Sequence, residues 1–110
     1  MSSREDSAMV TVIHQPRVAW DAARAFVQAA GSPRSESFAA RVLSRLGSEM
    51  YGHFADTRQR LLTALVETGG DRYAADIEAG KWRVRVEDLL RTRPDLTDAV
   101  TELTNEGFEH

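Results

Sequence analysis

The chain has 110 residues, of which 42% are hydrophobic and 28% are charged, and it contains no cysteine. This composition is that of one ordinary globular domain; it excludes a disordered chain, a disulfide framework and a membrane helix, since no apolar run approaches the roughly 20 residues needed. The net charge of −3 argues against nucleic acid as a partner, because nucleic-acid-binding domains carry excess positive charge to neutralise phosphates.

Residues 1–15 are expected to form a flexible N-terminal arm ahead of a single helical domain at 16–106. Residues 1–8 are small and polar, whereas Met9–Ile13 is rich in β-branched residues. This stretch is compatible with a short strand, an extended arm or the start of the first helix. Acidic residues stand where a signal peptide carries positive charge, so we expect a cytoplasmic protein with no membrane partner.

A first helix is predicted from Pro16, which suits the first turn of a helix, to a stop at Gly31. Its apolar residues recur at helical spacing and share one face: Val18, Ala22, Ala25, Phe26 and Ala29. Because alanine side chains are small, this face allows a close approach by another helix. The pattern therefore predicts a helix packed in the core.

A second helix is predicted from Ser32, as N-cap, and Pro33, as first helical residue, to a stop at Gly47. One of its stripes is apolar and consists of Phe38, Val42 and Leu46, with Leu43 beside it. Another stripe is basic and consists of Arg34, Arg41 and Arg45. The basic stripe is typical of a solvated face, and the alternative is contact with phosphate or an acidic partner.

A third helix is predicted within residues 48–68, and the two glycines Gly69 and Gly70 end it. Most of its apolar residues, together with one arginine, follow helical spacing: Tyr51, Phe54, Arg58, Leu61, Leu62, Leu65 and Val66. Gly52 weakens the first turn, so the helix is expected to start either at Ser48 or near Asp56.

A fourth helix is predicted from a cap at Asp71 to about Arg93, because Pro94 disfavours helical geometry in the residue before it. Gly80 is a point where this helix can bend. Its apolar residues at helical spacing are Tyr73, Ile77, Val84, Leu89 and Leu90. Trp82, Val84 and Val86 also alternate with charged residues, which is a strand pattern, but the flanking residues favour a helix throughout.

A short fifth helix is predicted to open at Pro94, to carry Leu96, Val100 and Leu103, and to end at Gly107. Residues 107–110 are then expected to form a frayed tail. The elements together predict an all-α fold, a compact bundle of about five short helices in which the last two form a helical hairpin.

No chemical motif accompanies these helices. His14, His53 and His110 are far apart and lack ligand spacing, and no nucleophile elbow or phosphate-binding loop is present. Adjacent acids such as Glu87 and Asp88 point in different directions on a helix. We therefore expect no catalytic residue, no metal and no cofactor, and the protein is predicted not to be an enzyme.

The best candidates for an interface with a partner are two tryptophans and three arginines: Trp82, Arg83, Arg85, Arg91 and Trp20. Tryptophan and arginine are enriched at interfaces, and Trp82 is expected to be half exposed, whereas Trp20 is expected at the core margin. Two structural explanations of the basic cluster Lys81–Arg93 compete with a role in partner binding. Either the cluster pairs with the nearby acids Glu78, Glu87 and Asp88, or the acidic last helix docks onto it.

The C-terminal stretch KWRVRVEDLLRTRPDLTDAVTEL resembles a signature of small all-helical actinobacterial proteins, with a W-R start, a paired L-L and a P-x-L break before a last leucine-bearing helix. The segments WDAARAFVQAAG and FAARVLSRLG are also similar to segments of those proteins, so the resemblance covers about residues 18–105. The ending TNEGFEH departs from their acidic, leucine-rich endings. The resemblance implies a small, helical, cytoplasmic and non-enzymatic protein. It does not identify any functional site residue in this chain.

The surplus of apolar helix faces without a chemical motif predicts a non-catalytic protein–protein interaction module. Its partner is another protein or a second copy of the chain, as in a homodimer. The alternative is a nucleic-acid-binding transcriptional regulator that uses an arginine-bearing helix. Affinity for duplex DNA that falls steeply with salt is the mark of that alternative.

Overall fold

The computed structural model describes residues 17–70 and 72–108. The predicted arm at 1–15, the predicted cap at Asp71 and the last two residues of the predicted tail lie outside the described residues.

Five α-helices and no strand make up the described part of the chain. They are α1 (17–30), α2 (Ser35–Leu46), α3 (Ser48–Thr68), α4 (Arg72–Thr92) and α5 (Thr97–Phe108). A 3-10 turn at Pro94–Leu96 packs against both α4 and α5, so the last two helices form the predicted hairpin. The prediction of an all-α bundle is confirmed.

Glycines mark the ends of α2 and α3 but do not interrupt the interior of a helix. α3 continues through Gly52, so the later start near Asp56 is wrong, and α4 continues through Gly80. Gly69 ends α3 with φ of 76°, a left-handed conformation that only glycine adopts readily, and its N–H donates to Leu65 O at 2.9 Å. The residues 82–86 are helical, which excludes the strand alternative.

The start of α2 differs from the prediction. Ser32 donates its hydroxyl to Ala29 O at 2.8 Å and accepts the N–H of Arg34 at 3.2 Å. The side chain therefore closes the turn after α1 and does not cap α2. α2 begins at Ser35, two residues after Pro33.

The core lies where four aromatic rings from four helices meet. The ring centroid of Phe26 lies 5.4 Å from that of Phe38 and 4.9 Å from that of Trp82, and Phe38 lies 5.3 Å from Phe54. The predicted inner face of α1 is confirmed, since all of its alanines are fully buried: Ala22, Ala25 and Ala29. These small side chains allow the surrounding helices to approach α1 closely.

α5 packs directly on α1 at Gly107. A Cβ atom at this position would lie 2.8 Å from both the Cβ and the carbonyl oxygen of Ala25. Gly107 is buried inside α5, which continues to Phe108. α5 thus extends one residue past the predicted stop at Gly107, because glycine serves here for close packing and not as a stop.

The inner face of α4 matches the predicted apolar pattern only near the end of the helix, where Leu90 is buried and Leu89 is partly buried. The buried residues are Glu78, Trp82, Val86 and Leu90. Tyr73, Ile77 and Val84 belong to the predicted pattern, yet they are exposed by 69%, 40% and 47%. α4 thus turns a stripe containing a glutamate towards the core and leaves a second apolar stripe in solvent.

Candidate interaction surface

Trp82 lies at the centre of a buried hydrogen-bonded chain between α3 and α4. Its indole Nε1–H donates to Thr57 Oγ1 at 2.8 Å, and the Thr57 hydroxyl donates to Glu78 Oε1 at 2.9 Å. All three side chains are buried, Trp82 completely. The expected half exposure of Trp82 is therefore wrong: a partner for the N–H inside the protein removes the usual reason for tryptophan to stay at the surface.

The carboxylate of Glu78 is compensated by cations that reach it from both helices. Lys81 Nζ lies 3.3 Å from Oε2, and Arg60 Nη1 lies 3.5 Å from Oε1. The Glu78 side chain is only 3% exposed, so an unpaired carboxylate here would be strongly destabilising. The two cations and the Thr57 hydroxyl together explain how α4 holds a glutamate on its inner face.

Arg85 covers the other side of Trp82. Its guanidinium carbon lies 5.2 Å from the centroid of the Trp82 ring, a cation–π contact. Burial lowers the pKa of Arg85, the charge of Glu78 opposes this effect, and the like charge of Arg60 adds to it. Arg85 and Trp82 thus belong to the α3–α4 packing, and Trp82 has no surface to offer a partner.

The remaining basic residues of the cluster are paired with neighbouring acids. Arg83 binds Glu87 at 3.0 Å and Arg91 binds Asp88 at 2.9 Å, while Lys81 pairs with Glu78. The predicted internal pairing with Glu78, Glu87 and Asp88 is confirmed. Arg93 pairs with Asp95 at 2.9 Å across the turn into α5.

The acidic last helix docks elsewhere than on this cluster. Glu106 of α5 pairs with Arg41 of α2 at 2.9 Å, and Glu102 pairs with Arg45. The alternative in which α5 covers the Lys81–Arg93 cluster is therefore wrong. The same contacts show that two members of the α2 arginine stripe are held by α5 rather than solvated alone.

Trp20 and Arg83 are brought together at the edge of a groove between α1 and α4. Trp20 is 43% exposed, and the guanidinium carbons of Arg83 and Arg24 lie 5.3 Å and 5.9 Å from its ring centroid. We call this feature the α1–α4 groove; it has a volume of about 670 Å³. Its lining includes Val27, Ala75 and Ala79 as apolar residues and Arg24, Arg72 and Asp76 as charged residues.

A second exposed apolar surface lies where α3 ends and α4 begins. We call residues 61–70 and 72–77 the α3–α4 end. Five of its large apolar side chains are exposed by 40–86%: Leu62, Leu65, Val66, Tyr73 and Ile77. No residue of this region is buried, whereas α3 buries Met50, Phe54 and Thr57 in its first half. Leu62 and Val66 also line a shallow concavity on α3.

Among residues 17–70 and 72–108, no group of three metal-ligating side chains occurs. His53 lies edge-on to Trp82 with ring centroids 6.3 Å apart. None of the helices in that part of the chain combines the length and the apolar character needed to cross a bilayer.

Comparison with known proteins adds no relative. No protein-family model, no curated protein and no solved structure matches the chain significantly.

The five predicted interface residues separate into three places. Trp20 and Arg83 meet at the α1–α4 groove, Trp82 and Arg85 lie in the α3–α4 packing, and Arg91 is paired on the outside of α4. Sequence reasoning missed the α3–α4 end. The available signal was an excess of apolar residues around α3, with Leu61, Leu62, Leu65 and Val66 spread over more than one helical face.

Proposed function

We propose that this chain is a non-catalytic protein–protein interaction module that pairs with a second copy of itself through the α3–α4 end. The observation that carries the proposal is the exposure of Leu62, Leu65 and Val66 on the last turns of α3, beside Tyr73 and Ile77 on the first turns of α4. Single exposed apolar residues are ordinary, but five of them on one pair of adjoining helix ends are typical of an interaction site.

Two features of this surface favour a second copy as the occupant. Two antiparallel helices that meet their own symmetry mates form a four-helix arrangement, in which the apolar stripe of each pair covers that of the other. Glu67, one residue before the end of α3, and Arg72, the first residue of α4, are both exposed. An identical surface carries both charges, so Glu67 of one copy and Arg72 of the next are complementary as well.

The surface is of modest size, so the pair is expected to be reversible. Size-exclusion chromatography with light scattering on the full chain is the direct test. We expect a mass that rises from one copy towards two as protein concentration increases. A mass that stays at one copy up to millimolar concentration contradicts the proposal.

Two matched variants assign the contact to the α3–α4 end. Val66→Glu places a charge where the side chain is 86% exposed, so the helix accepts it and only the pairing is lost. Leu43→Glu is the control, because Leu43 on α2 is 45% exposed and lies outside the surface. The proposal requires that Val66→Glu be monomeric under conditions in which Leu43→Glu still pairs.

Nucleic-acid binding through an arginine-bearing helix is the weaker candidate. Arg41 and Arg45 are held by acids of α5, and Arg83 and Arg91 by acids of α4. Phosphate would have to displace these carboxylates, which lowers the gain from each contact. Lack of any mobility shift with duplex DNA at low salt excludes this candidate.

A further inference from the structure

α1 lies at the centre of the bundle and is open on one side. It contacts α2 and α4 through the ring of Phe26, α5 through Ala25, and α3 through the hydrogen bond that Arg58 donates to Ala30 O. The exposed residues of α1 all lie on one stripe at helical spacing: Arg17, Trp20, Asp21, Arg24 and Gln28. The other residues of α1 are buried or partly buried, so this stripe is where a further helix can reach α1.

The α1–α4 groove follows this stripe and has the dimensions needed for a helix. From Trp20 to Gln28 α1 rises about 12 Å, and from Arg72 to Ala79 α4 rises about 10 Å, which is a length of two to three helical turns. Ala75 and Ala79 line the groove and are only partly buried. Because their side chains are small, they allow a third helix to approach closely.

Two arginines on opposite walls of this groove have no acid to pair with. Arg24 on α1 lies over the ring of Trp20, and neither Arg24 nor Arg72 forms an ion pair with an acid of residues 17–70 or 72–108. Most other arginines of these residues are paired with acids: Arg41, Arg45, Arg60, Arg83, Arg91 and Arg93. Within the described lining of the groove, one acid, Asp76, opposes the two arginines. The groove is therefore complementary to an acidic ligand.

We propose that the α1–α4 groove binds an amphipathic helix of another protein, with small apolar residues on its inner face and an acid on each flank. One acid pairs with Arg24 and the other with Arg72, while Trp20 packs against the inner face. Tryptophan and arginine are the residues most enriched at interface hot spots, and a helix laid in an apolar groove is a recurrent mode of recognition. The groove uses a different face of α4 from Tyr73 and Ile77, so this binding does not depend on self-association.

The two tryptophans make this binding measurable in the intact protein. Trp20 is 43% exposed and is covered when a helix occupies the groove, whereas Trp82 is fully buried in either state. Acrylamide quenching of tryptophan fluorescence therefore reports on Trp20 against the constant background of Trp82. All measurements use the full chain at a concentration at which light scattering gives the mass of one copy.

The probe is a designed tryptophan-free helix of about 18 residues, because shorter isolated helices are marginal in water. It carries alanine and leucine on its inner face and glutamate on both flanks, and the control peptide carries lysine in place of every glutamate. We expect the glutamate peptide to remove the Trp20 contribution to quenching at saturation. The lysine peptide is expected to leave the quenching unchanged.

Two double variants of equal charge assign the contact to the groove. Arg24→Gln with Arg72→Gln is expected to weaken binding of the glutamate peptide by about tenfold, because two exposed ion pairs are lost. Arg34→Gln with Arg91→Gln removes the same charge outside the groove and is expected to leave the affinity within error. Asp76→Asn acts in the opposite direction and is expected to strengthen binding by about threefold.

Three results overturn the proposal. The first is a failure of the glutamate peptide to protect Trp20 at millimolar concentration, or equal protection by the lysine peptide. The second is an equal affinity of the two double variants for the glutamate peptide. The third is a different occupant: protection of Trp20 that rises with protein concentration alone assigns the groove to a second copy, and stronger protection by single-stranded DNA assigns it to nucleic acid.

Discussion

The two ends of the α3–α4 pair differ sharply in how they are packed. Near Trp82, α3 and α4 share a hydrogen-bonded chain with Thr57 and Glu78 and lie against the aromatic core. At the α3–α4 end the same two helices expose leucine, valine and tyrosine to solvent. The difference follows from the neighbours: α1 ends at residue 30, and beyond it nothing in the described chain covers the last turns of α3. Buried residues in one half support the proposed interaction surface in the other.

The largest expected loss of stability comes from a substitution at Gly107, where α5 lies in close contact with Ala25 of α1. Gly107→Leu forces a side chain into the space where even a Cβ would lie 2.8 Å from the backbone oxygen of Ala25. We expect the free energy of unfolding to fall by more than about 3 kcal/mol, measured by urea denaturation. Gly52→Ala is the control, since a Cβ there meets nothing within 4 Å, and it is expected to stabilise α3 by about 0.5–1 kcal/mol.

The contrast between the two regions is tested most directly with one residue type. Val42 is fully buried and Val66 is 86% exposed, both in helices. Val42→Ala is expected to lower the free energy of unfolding by about 2 kcal/mol, because two methyl groups leave the core. Val66→Ala is expected to change the stability of the monomer by no more than about 0.5 kcal/mol. Similar losses for both variants would mean that the α3–α4 end is covered in the folded monomer.

The buried hydrogen-bonded chain of Trp82, Thr57 and Glu78 is expected to contribute somewhat less to the free energy of unfolding than the buried Val42 side chain. Thr57→Val keeps the shape of the side chain but leaves the Trp82 N–H and one oxygen of Glu78 without their hydrogen bonds. The expected loss is about 1–2 kcal/mol in thermal or urea unfolding. Thr63→Val, at an exposed position of the same helix, is the control and should stay within about 0.5 kcal/mol. A loss in the control as large as that in Thr57→Val contradicts the assignment.

The ion pairs that attach α5 to α2 are expected to contribute little individually. Arg45 and Glu102 are 43% and 55% exposed, so water and salt screen their attraction. A double-mutant cycle with Arg45→Ala and Glu102→Ala is expected to give a coupling energy of a few tenths of a kcal/mol. A coupling above about 1 kcal/mol would show that α5 is held by charge as much as by the contact at Gly107.

The smallest expected effect is on the pKa of Asp95, which lies in the turn between α4 and α5. The hydrogen bond from Arg93 lowers the pKa of Asp95, and the charge of Arg93 acts in the same direction. Because the folded pKa lies below the unfolded one, the contribution of Asp95 to stability is present above the unfolded pKa and is lost as the pH falls through the folded pKa. An NMR titration should place the Asp95 midpoint below that of an unfolded control peptide. Arg93→Gln should return it towards the control value.

The sequence alone accounted for most of the helices. Gly47, Gly69 and Pro94 mark the breaks where the structure has them, because left-handed glycine and proline act through the local backbone. The inner face of α1 was also predictable, since its alanines and Phe26 leave only one apolar face. Gly107 was misread for a physical reason: a glycine that stops a helix and one that lets two helices touch are the same residue in the sequence.

What only the tertiary structure decided is which surface of each helix meets which neighbour. Periodicity in α4 indicates a helix, but the stripe with Tyr73 and Ile77 is exposed and the stripe with Glu78 is buried. Glu78 is tolerated inside because Thr57 and Arg60 come from another helix, about twenty residues away in sequence. In the same way, the acids of α5 meet Arg41 and Arg45 of α2, which are distant in the sequence. Local interactions determine where helices form and end, whereas contacts with residues distant in the sequence determine which face of each helix is buried.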